Sequence, residues 1–232
     1  MEPFEINEFG QPVGRVVEGW RGARQPERIA MAGRYCELAP LDAGRHGEDL
    51  FTVLSDSGLA NWTYLTMPAE RAAFLEWLRA MESSADPLFF VILVKGKPAG
   101  MASYLRINPA DGVIEVGWLH FSSGLQRSAA ATEAMYLMMR QAFAWGYRRY
   151  EWKCNTLNRP SWRAAERLGF TYEGTFRQAR VDKGRNRDTA WFSILDREWP
   201  NVERGFVRWL SAENFDREGR QSRRLQDCRE PS

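Results

Sequence analysis

The sequence predicts an α+β fold, a mixed and mostly antiparallel sheet flanked by helices. Three observations carry that expectation. Residues 88–121 contain three strand-like runs in succession, segments with helical periodicity stand before and after them, and Gly- or Pro-containing turns separate the runs. The chain has 232 residues, 44% hydrophobic and 13% aromatic, enough for one medium domain with additions. The expected organisation is an extended arm over 1–30, a folded domain over 31–200 and a polar C-terminal extension over 201–232.

The elements follow in order. Gly10, Pro12, Gly14, Gly19, Gly22 and Pro26 leave the arm little periodicity, and Phe4, Ile6, Phe9 and Trp20 are its candidates for docking on the core. Residues 34–38 alternate like a strand, and 42–55 look helical. In 68–81, a helix that Pro68 is placed to start, Ala72, Leu75, Leu78 and Ala80 or Met81 fall near one face. Residues 88–95 and 98–107 are strand-like and joined by Lys95-Gly96-Lys97, and 112–121 completes an antiparallel meander. A helix over 129–145 aligns Ala131, Met135, Met138 and Ala142 in a stripe and stops at Gly146. Residues 148–154 form a strand, 161–170 a short helix closing at Gly169, and 170–181 and 188–195 two more strands. Past Pro200 the periodicity fades, and the mixed charges of 211–232 describe a solvated or frayed tail.

Several classes are disfavoured. No apolar run approaches the ~18 residues of a spanning helix, and the start MEPFEINEFG lacks the basic and apolar regions of a signal peptide, so a cytoplasmic location without membrane contact is expected. Cys36, Cys154 and Cys228 have no metal-like spacing and are odd in number; reduced thiols and no metal are expected. All basic residues except Lys95, Lys97, Lys153 and Lys183 are arginine, but interleaved Asp and Glu bring the net charge to +2 and argue against a nucleic-acid partner.

The stretch Gly124–Ala134, GLQRSAAATEA, lies between a strand and a helix. A helix N-terminus there presents unpaired N–H groups and a positive dipole end, and Ser128, Ala129, Ala130 and Ala131 are small enough for a phosphate to approach the backbone. Gln126 and Arg127 add donors at the rim. Two further segments stand in a fixed order around it: Glu115-Val116-Gly117-Trp118 before, and Asn158 eleven residues ahead of Gly169 in NRPSWRAAERLGF after.

Across residues 33–197 these segments resemble the GNAT family of acetyl-CoA-dependent N-acetyltransferases, in the branch that includes the ribosomal-protein amino-terminal acetyltransferases. Gln126, Ala129 and Ala131 match the family's Q/R-x-x-G-x-G/A pyrophosphate motif, with Ala129 in place of the usual glycine. Asn158 to Phe170 is similar to its N-x(10)-G-F ending, and Glu115 to Trp118 to its E-x-G-x strand. The resemblance implies a splayed parallel pair, residues 113–121 and 148–154, that admits a pantetheine arm. It implies that the backbone of Leu119 and Phe121 pairs with that arm, that the amides of Arg127 to Thr132 hold the pyrophosphate, and that Asn155 and Asn158 lie where the arm leaves.

The chemistry needs a proton acceptor for the amine and a donor for the departing thiolate. Glu115, between apolar Ile114 and Val116, is the candidate base; the alternative is a surface glutamate. Many members of the family carry a tyrosine where this chain has Ala165, so Ser161 is the candidate acid, or else the N-cap of its helix. His120, on the strand face of Trp118 and Val116, reads as structural. The segments 56–67 and 177–188 border the expected acceptor pocket: Trp62 and Tyr64 as an aromatic wall, Asp182 or Asp188 as attraction for an amine, each also suited to packing or a turn. The expected function is acetyl transfer from acetyl-CoA to a primary amine of a small molecule or a peptide N-terminus. A noncatalytic acyl-CoA sensor on the same fold is the alternative, and homodimer formation is left open.

Overall fold

The computed structural model describes residues 4–230, with the side chain of Leu59 left out. Strands β1 (Phe4–Ile6) and β2 (Pro12–Gly14) make a small separate hairpin on which Phe4, Ile6 and Phe9 are exposed. Of the four docking candidates in the arm, Trp20 alone reaches the domain. Its Nε1 donates to Ala110 O at 2.8 Å, and its ring lies where a side chain on Gly112 would stand.

The remaining strands form one eight-stranded sheet: β3 (Met31–Ala32), β4 (Glu37–Pro40), β5 (Leu88–Val94), β6 (Lys97–Asn108), β7 (Val113–Phe121), β8 (Arg149–Asn155), β9 (Thr171–Asp182) and β10 (Arg185–Leu195). Their spatial order is β3-β4-β5-β6-β7-β8-β10-β9, with every pair antiparallel except β7 and β8, which run parallel. The sequence therefore placed the meander and the strands after it within a few residues of their observed ends.

Helices α1 (Ala43–Ser55) and α2 (Arg71–Glu82) cover one face, and α3 (Ala129–Ala144), α4 (Arg159–Leu168) and α5 (Trp199–Leu210) the other. Helix α2 begins three residues after Pro68 and buries Phe74 and Leu78, while Ala72 and Ala80 are exposed. The larger aromatic rings decide its rotation: Phe74 and Trp77 tilt against one another at 5.8 Å, and Trp77 meets Phe89 of β5 at 6.0 Å.

The C-terminal region differs most from expectation. Residues 199–210 are a helix that buries Trp199, Val202, Phe206 and Trp209, and Leu225 and Cys228 of the tail are buried too. Helix α5 supplies the outer wall of α3, where Tyr136 stacks on Phe206 at 5.3 Å and on Trp199 at 6.3 Å. Helix α3 is consequently buried nearly all round, well beyond the stripe Ala131, Met135, Met138 and Ala142. Among the described residues no helix is long and apolar enough to cross a membrane, and no group of His, Cys, Asp and Glu has the arrangement of a metal site.

Glu133 of α3 fixes the opposite end of the core. Its carboxylate, 4% exposed, accepts the N–H groups of Arg34 at 2.8 Å, Tyr35 at 2.6 Å and Cys36 at 2.9 Å. These three residues form the turn into β4, which is why the strand starts at Glu37 and not at Arg34. Gly33 is required beside them, because a Cβ there would overlap the Glu133 carboxylate. Glu133→Ala leaves three part-buried donors unpaired and is expected to lower the unfolding free energy by about 3 kcal/mol or more in urea denaturation. Gly33→Ala should destabilise in the same assay through the clash.

Candidate active site

Strands β7 and β8 pair from Val113↔Arg149 to Val116↔Trp152 and then part, although β7 continues to Phe121 and β8 to Asn155. The cause is local. Trp118 has φ 49°, in the left-handed region, and the β6–β7 register slips between Met101↔His120 and Ser103↔Gly117. A bulge of this kind bends the strand and increases its twist. It also shifts the alternation of side chains: Val116 belongs to the core under α3, whereas Trp118 and His120 stand on the α1–α2 face. The simple alternation that put His120 with Val116 is thereby overturned, and residues 117–121 are left with an edge that no strand covers.

A cleft of about 1460 Å³ runs through this gap. Its far wall is closed by a tie between two segments that sequence reading placed at the acceptor. The Lys183 ammonium, at the β9–β10 turn, donates to the carbonyls of Trp62, Thr63 (3.4 Å) and Leu65 (2.8 Å). Tyr64 does not wall the pocket with its ring alone; its hydroxyl donates to Leu157 O at 3.1 Å and links that segment to the β8–α4 loop.

On the α3 side the loop before the helix turns on Arg127, φ 59°. The amides of Gln126, Ser128, Ala131 and Thr132 are spent on Ser122 O (3.0 Å), Leu125 O (3.3 Å), Ser128 Oγ (3.0 Å) and Ser128 O (3.3 Å). Ser128 is thus the N-cap, and Arg127, Ala129 and Ala130 are left to offer N–H groups at the positive end of a 16-residue helix. The expected row of amides from Arg127 to Thr132 is narrowed to these three. Ala129 and Ala131 line the cleft; Ala130 is buried in the core. Gln126 spans the mouth, with Nε2 donating to Phe121 O at 3.0 Å and Asn61 Oδ1 at 3.2 Å.

Arg127, Arg163, Arg167 and Arg220 line this end of the cleft, and of these Arg220 is bridged to Asp216 at 2.7 Å and to Glu218 at 3.2 Å. Arg167 donates to Thr132 Oγ1 at 3.0 Å and lies over the Trp209 ring at 5.0 Å; burial, with Arg229 nearby, weakens its hold on its proton. Phosphates fit here: three free amides at a helix start, several guanidinium groups, and an uncovered strand edge leading inward. Trp209, Phe215 and Gly219 to Gln221 also line the cleft and escaped sequence reading. Their signal was the helical spacing of Trp199, Val202, Phe206 and Trp209, interrupted by charged residues.

At the narrow middle, Asn158 caps α4 by accepting Ser161 N at 3.2 Å, and Asn155 Oδ1 accepts Leu157 N at 2.9 Å. Ser161 is therefore not the cap. Its Oγ accepts Trp152 Nε1 at 3.1 Å, and because an indole N–H only donates, the hydroxyl proton points elsewhere, with the Cys154 sulfur one acceptor within reach. Burial raises the Cys154 thiol above its ordinary range, against the opposing pull of Ser161.

Glu115 is 6% exposed and lines the cleft. Its Oε2 meets Lys153 Nζ at 2.7 Å and Arg106 Nε at 3.4 Å, while Oε1 lies beside Gly117, 3.8 Å from where a Cβ would stand. Burial pushes its pKa up, and Lys153 and Arg106 partly oppose the rise. Lys153 also holds Glu151 at 2.7 Å and sits 3.6 Å from the centre of the Trp191 ring. The sequence singled out Glu115 but not Lys153, whose partner is set by the parallel register. Asp188 stands in β10 at a break in the β9–β10 register, outside the cleft lining: its Oδ1 accepts Gln178 N at 2.7 Å and Asn186 Nδ2 at 3.0 Å, so local geometry claims it. Asp182 lines the cleft instead.

The sequence profile described as "Acetyltransferase (GNAT) domain" matches residues 37–171. The chain belongs to the GNAT acetyltransferase family. It is similar to a GCN5-related N-acetyltransferase from Brucella melitensis, 48% identical over 91% of this chain and 99% of that one, with TM-score 0.89. A probable GNAT acetyltransferase from Chromobacterium violaceum is 40% identical over 82% and 98%, with TM-score 0.77. A Salmonella typhimurium acetyltransferase that modifies the N-terminal serine of ribosomal protein L7/L12 shares the fold at 20% identity over 72% and 99%, with TM-score 0.64. No curated protein matches the sequence significantly.

His120 of this GNAT protein lines the cleft wholly enclosed. Trp62, Trp77 and Trp118 surround it at 5.1, 6.4 and 6.0 Å, and neither ring nitrogen has a partner among the described residues. Burial lowers its pKa to about 3 from an ordinary 6.5. The unfolded chain takes up a proton below about pH 6.5 that the folded protein refuses, so this stability is present above that pH and lost as pH falls. In urea titrations at pH 7, 6 and 5, His120→Phe should flatten the loss by about 1.4 kcal/mol per pH unit below pH 6.

Proposed function

We propose that the protein is an acetyl-CoA-dependent N-acetyltransferase that passes the acetyl group to a primary amine by direct attack. The observation that carries this reading is the continuity of the cleft: the start of α3, where Arg127 and Ala129 with their free amides line the cleft, opens onto the uncovered edge of β7, which ends beside the Glu115 carboxylate. The thioester supplies an activated carbonyl and a thiolate leaving group. The protein's own groups bind, orient and move protons.

The three loop amides and neighbouring arginines hold the phosphates. The open edge at Leu119 and Phe121 offers main-chain pairing to an extended amide-bearing arm, as a strand would. Asn155 and Asn158 each use the side-chain carbonyl within the loop, which leaves the two Nδ2 groups as donors toward that arm. Glu115, through Oε1, takes the proton that the amine loses as its nitrogen bonds to the acetyl carbon. Ser161 gives a proton to the sulfur as the carbon–sulfur bond breaks and takes one from water in its place, and Trp152 orients its hydroxyl for that task. Cys154, kept as a thiol by burial, does not compete as nucleophile. Trp62 and Trp118 supply an apolar wall on the acceptor side.

The placement in the ribosomal-protein amino-terminal branch rests on Gln126 to Ala134 and on Ser161 with Ala165, and it is part of the same proposal. Ala165 is fully buried, with no hydroxyl where many relatives carry tyrosine, and this favours the sensor as second reading. Thiol release from acetyl-CoA with an amine panel separates the two: a sensor binds the cofactor and turns over no amine.

Ala131→Asp brings a carboxylate to the phosphate end and is expected to weaken coenzyme A at least tenfold in calorimetry; unchanged affinity removes the loop from the site. Glu115→Gln should lower kcat/KM by roughly 10²- to 10⁴-fold with cofactor affinity unchanged. A base acts only when deprotonated, so wild-type kcat/KM rises with pH through the raised Glu115 pKa. The pH–rate profile of the variant should lose that acidic limb.

A further inference from the structure

The described charged residues lining the cleft are divided unevenly between its ends. Glu115 and Asp182 are the acids, against Arg127, Arg163, Arg167 and Arg220 at the phosphate end and Lys153, Arg180 and Arg187 at the other. Lys153 is matched by Glu115 at 2.7 Å, and Arg187 meets Asp182 at 3.3 Å. Arg180 is left in excess. In the β9–β10 ladder, moreover, Arg180 stands directly opposite Arg187 and Asp182 directly opposite Arg185. One carboxylate, bridged to Arg187 among them, therefore stands beside three arginines on one patch of hairpin. Like charges directly opposite in a ladder are destabilising, with Cβ atoms only about 5 Å apart, unless something negative lies between them.

A second observation stands apart from the charge count. Arg187 is 16% exposed, and its Nε is buried without a hydrogen-bond partner. Such a donor costs stability until an acceptor reaches it. A pocket built for a polyamine or another cationic amine carries surplus carboxylates; this one carries surplus guanidinium.

We infer that the amine acceptor bears a carboxylate, which Arg180 and Arg187 hold while its amino group lies toward Glu115. This rests on the acetyltransferase reading and names its acceptor class. The apolar wall of Trp62 and Trp118 lies between those two polar ends and suits the carbon skeleton that joins them. Lys183, tied to the carbonyls of Trp62, Thr63 and Leu65, fixes the hairpin so that the arginine pair keeps its place.

The test begins with calorimetry of coenzyme A, since failure to bind it removes the acetyltransferase reading itself. Acceptors are then offered in matched pairs at equal concentration of free amine. One arm sets free amino acids against their amides; the other sets Ser-Glu-amide against Ser-Gln-amide, so that an α-carboxylate and a side-chain carboxylate are told apart. Spermidine serves as the cationic control. The expected result is at least a tenfold preference in kcat/KM for the carboxylate member of one arm. Arg187→Gln and the solvent-exposed Arg180→Gln should each reduce it to about threefold or less, without changing coenzyme A affinity.

Equal or better turnover of the amides or of spermidine overturns the inference and leaves the acetyltransferase reading standing. Equal loss on both members of a pair in the two variants overturns it as well, since the arginines then act on the fold alone. If no amine is turned over, tryptophan fluorescence of the coenzyme A-loaded protein decides. Acetylated Ser-Glu-amide must bind at least tenfold tighter than acetylated Ser-Gln-amide, or N-acetylaspartate than its diamide, and the difference must vanish in Arg187→Gln. Indifference to the carboxylate in both pairs refutes the inference.

Discussion

A single left-handed residue, Trp118, separates two strands that would otherwise continue side by side. Parallel strands keep their ladder only while both main chains hold their twist in step, and a bulge puts one of them out of step. Residues 117–121 then carry main-chain groups that β8 cannot satisfy. Left buried and unpaired, such groups are costly, so the gap persists only because the surroundings hold both strands elsewhere. Strand β6 pairs with the other edge of β7 on both sides of the bulge, from Val113 to Gly117 and again at His120 and Phe121, and β10 pairs with β8 from Arg149 to Asn155. The opening is therefore a rigid slot, and a group that enters it can complete the sheet.

The slot also decides what each face of the sheet is for. Before the bulge, Val116 packs under α3; after it, Trp118 and His120 look toward α1 and α2. In the acetyltransferase we propose, the phosphate end of the cleft belongs to α3 and α4 and the acceptor end to the opposite face, and the two substrates meet through the sheet rather than along it. The N-terminus of α3 has to be immobile for this to work, and it is fixed from three sides: the Ser128 cap, the Glu133 grip on the turn at Arg34 to Cys36, and the aromatic stack of Tyr136, Phe206 and Trp199.

Sequence reading did well where the signal was local. The runs from Leu88 to Phe121, the small residues at Ser128 to Ala131, and the spacing from Asn158 to Gly169 are each contained in one short stretch, and each falls on a strand or a helix end in the structure. What it missed is nonlocal. Lys153 meets Glu115 only because β7 and β8 are parallel with Glu115 opposite Glu151. His120 changed faces because one φ angle changed sign. Asp188 and Asp182 are both hairpin acids, and the Asx-type bonds to Gln178 and Asn186 that occupy Asp188 depend on a bulge in the β9–β10 ladder. The burial of α5 was hidden because its apolar positions are separated by Asn201, Glu203, Arg204 and Arg208, and its contribution to the cleft comes through a tail of almost wholly polar residues.

The pairing of Glu115 with Lys153 bears on how a carboxylate can be buried and still accept a proton. An isolated buried carboxylate would be driven to its neutral form, a poor ground state for a base; a fully matched ion pair would hold its negative charge too firmly. Here Lys153 is shared between Glu115 and Glu151, and Glu151 is itself drawn by Arg149 at 2.7 Å, which is in turn held by Glu173 at 2.6 Å. The ammonium compensates Glu115 only in part, which agrees with the net upward direction of its pKa. All of the compensation falls on Oε2, so Oε1 stays open beside Gly117. A side chain on that glycine would press on Leu105, so the strand beside the carboxylate stays bare where the strands diverge. In the proposed mechanism the chain of alternating charges across β7, β8 and β9 sets one oxygen's basicity, beside the slot that the bulge creates.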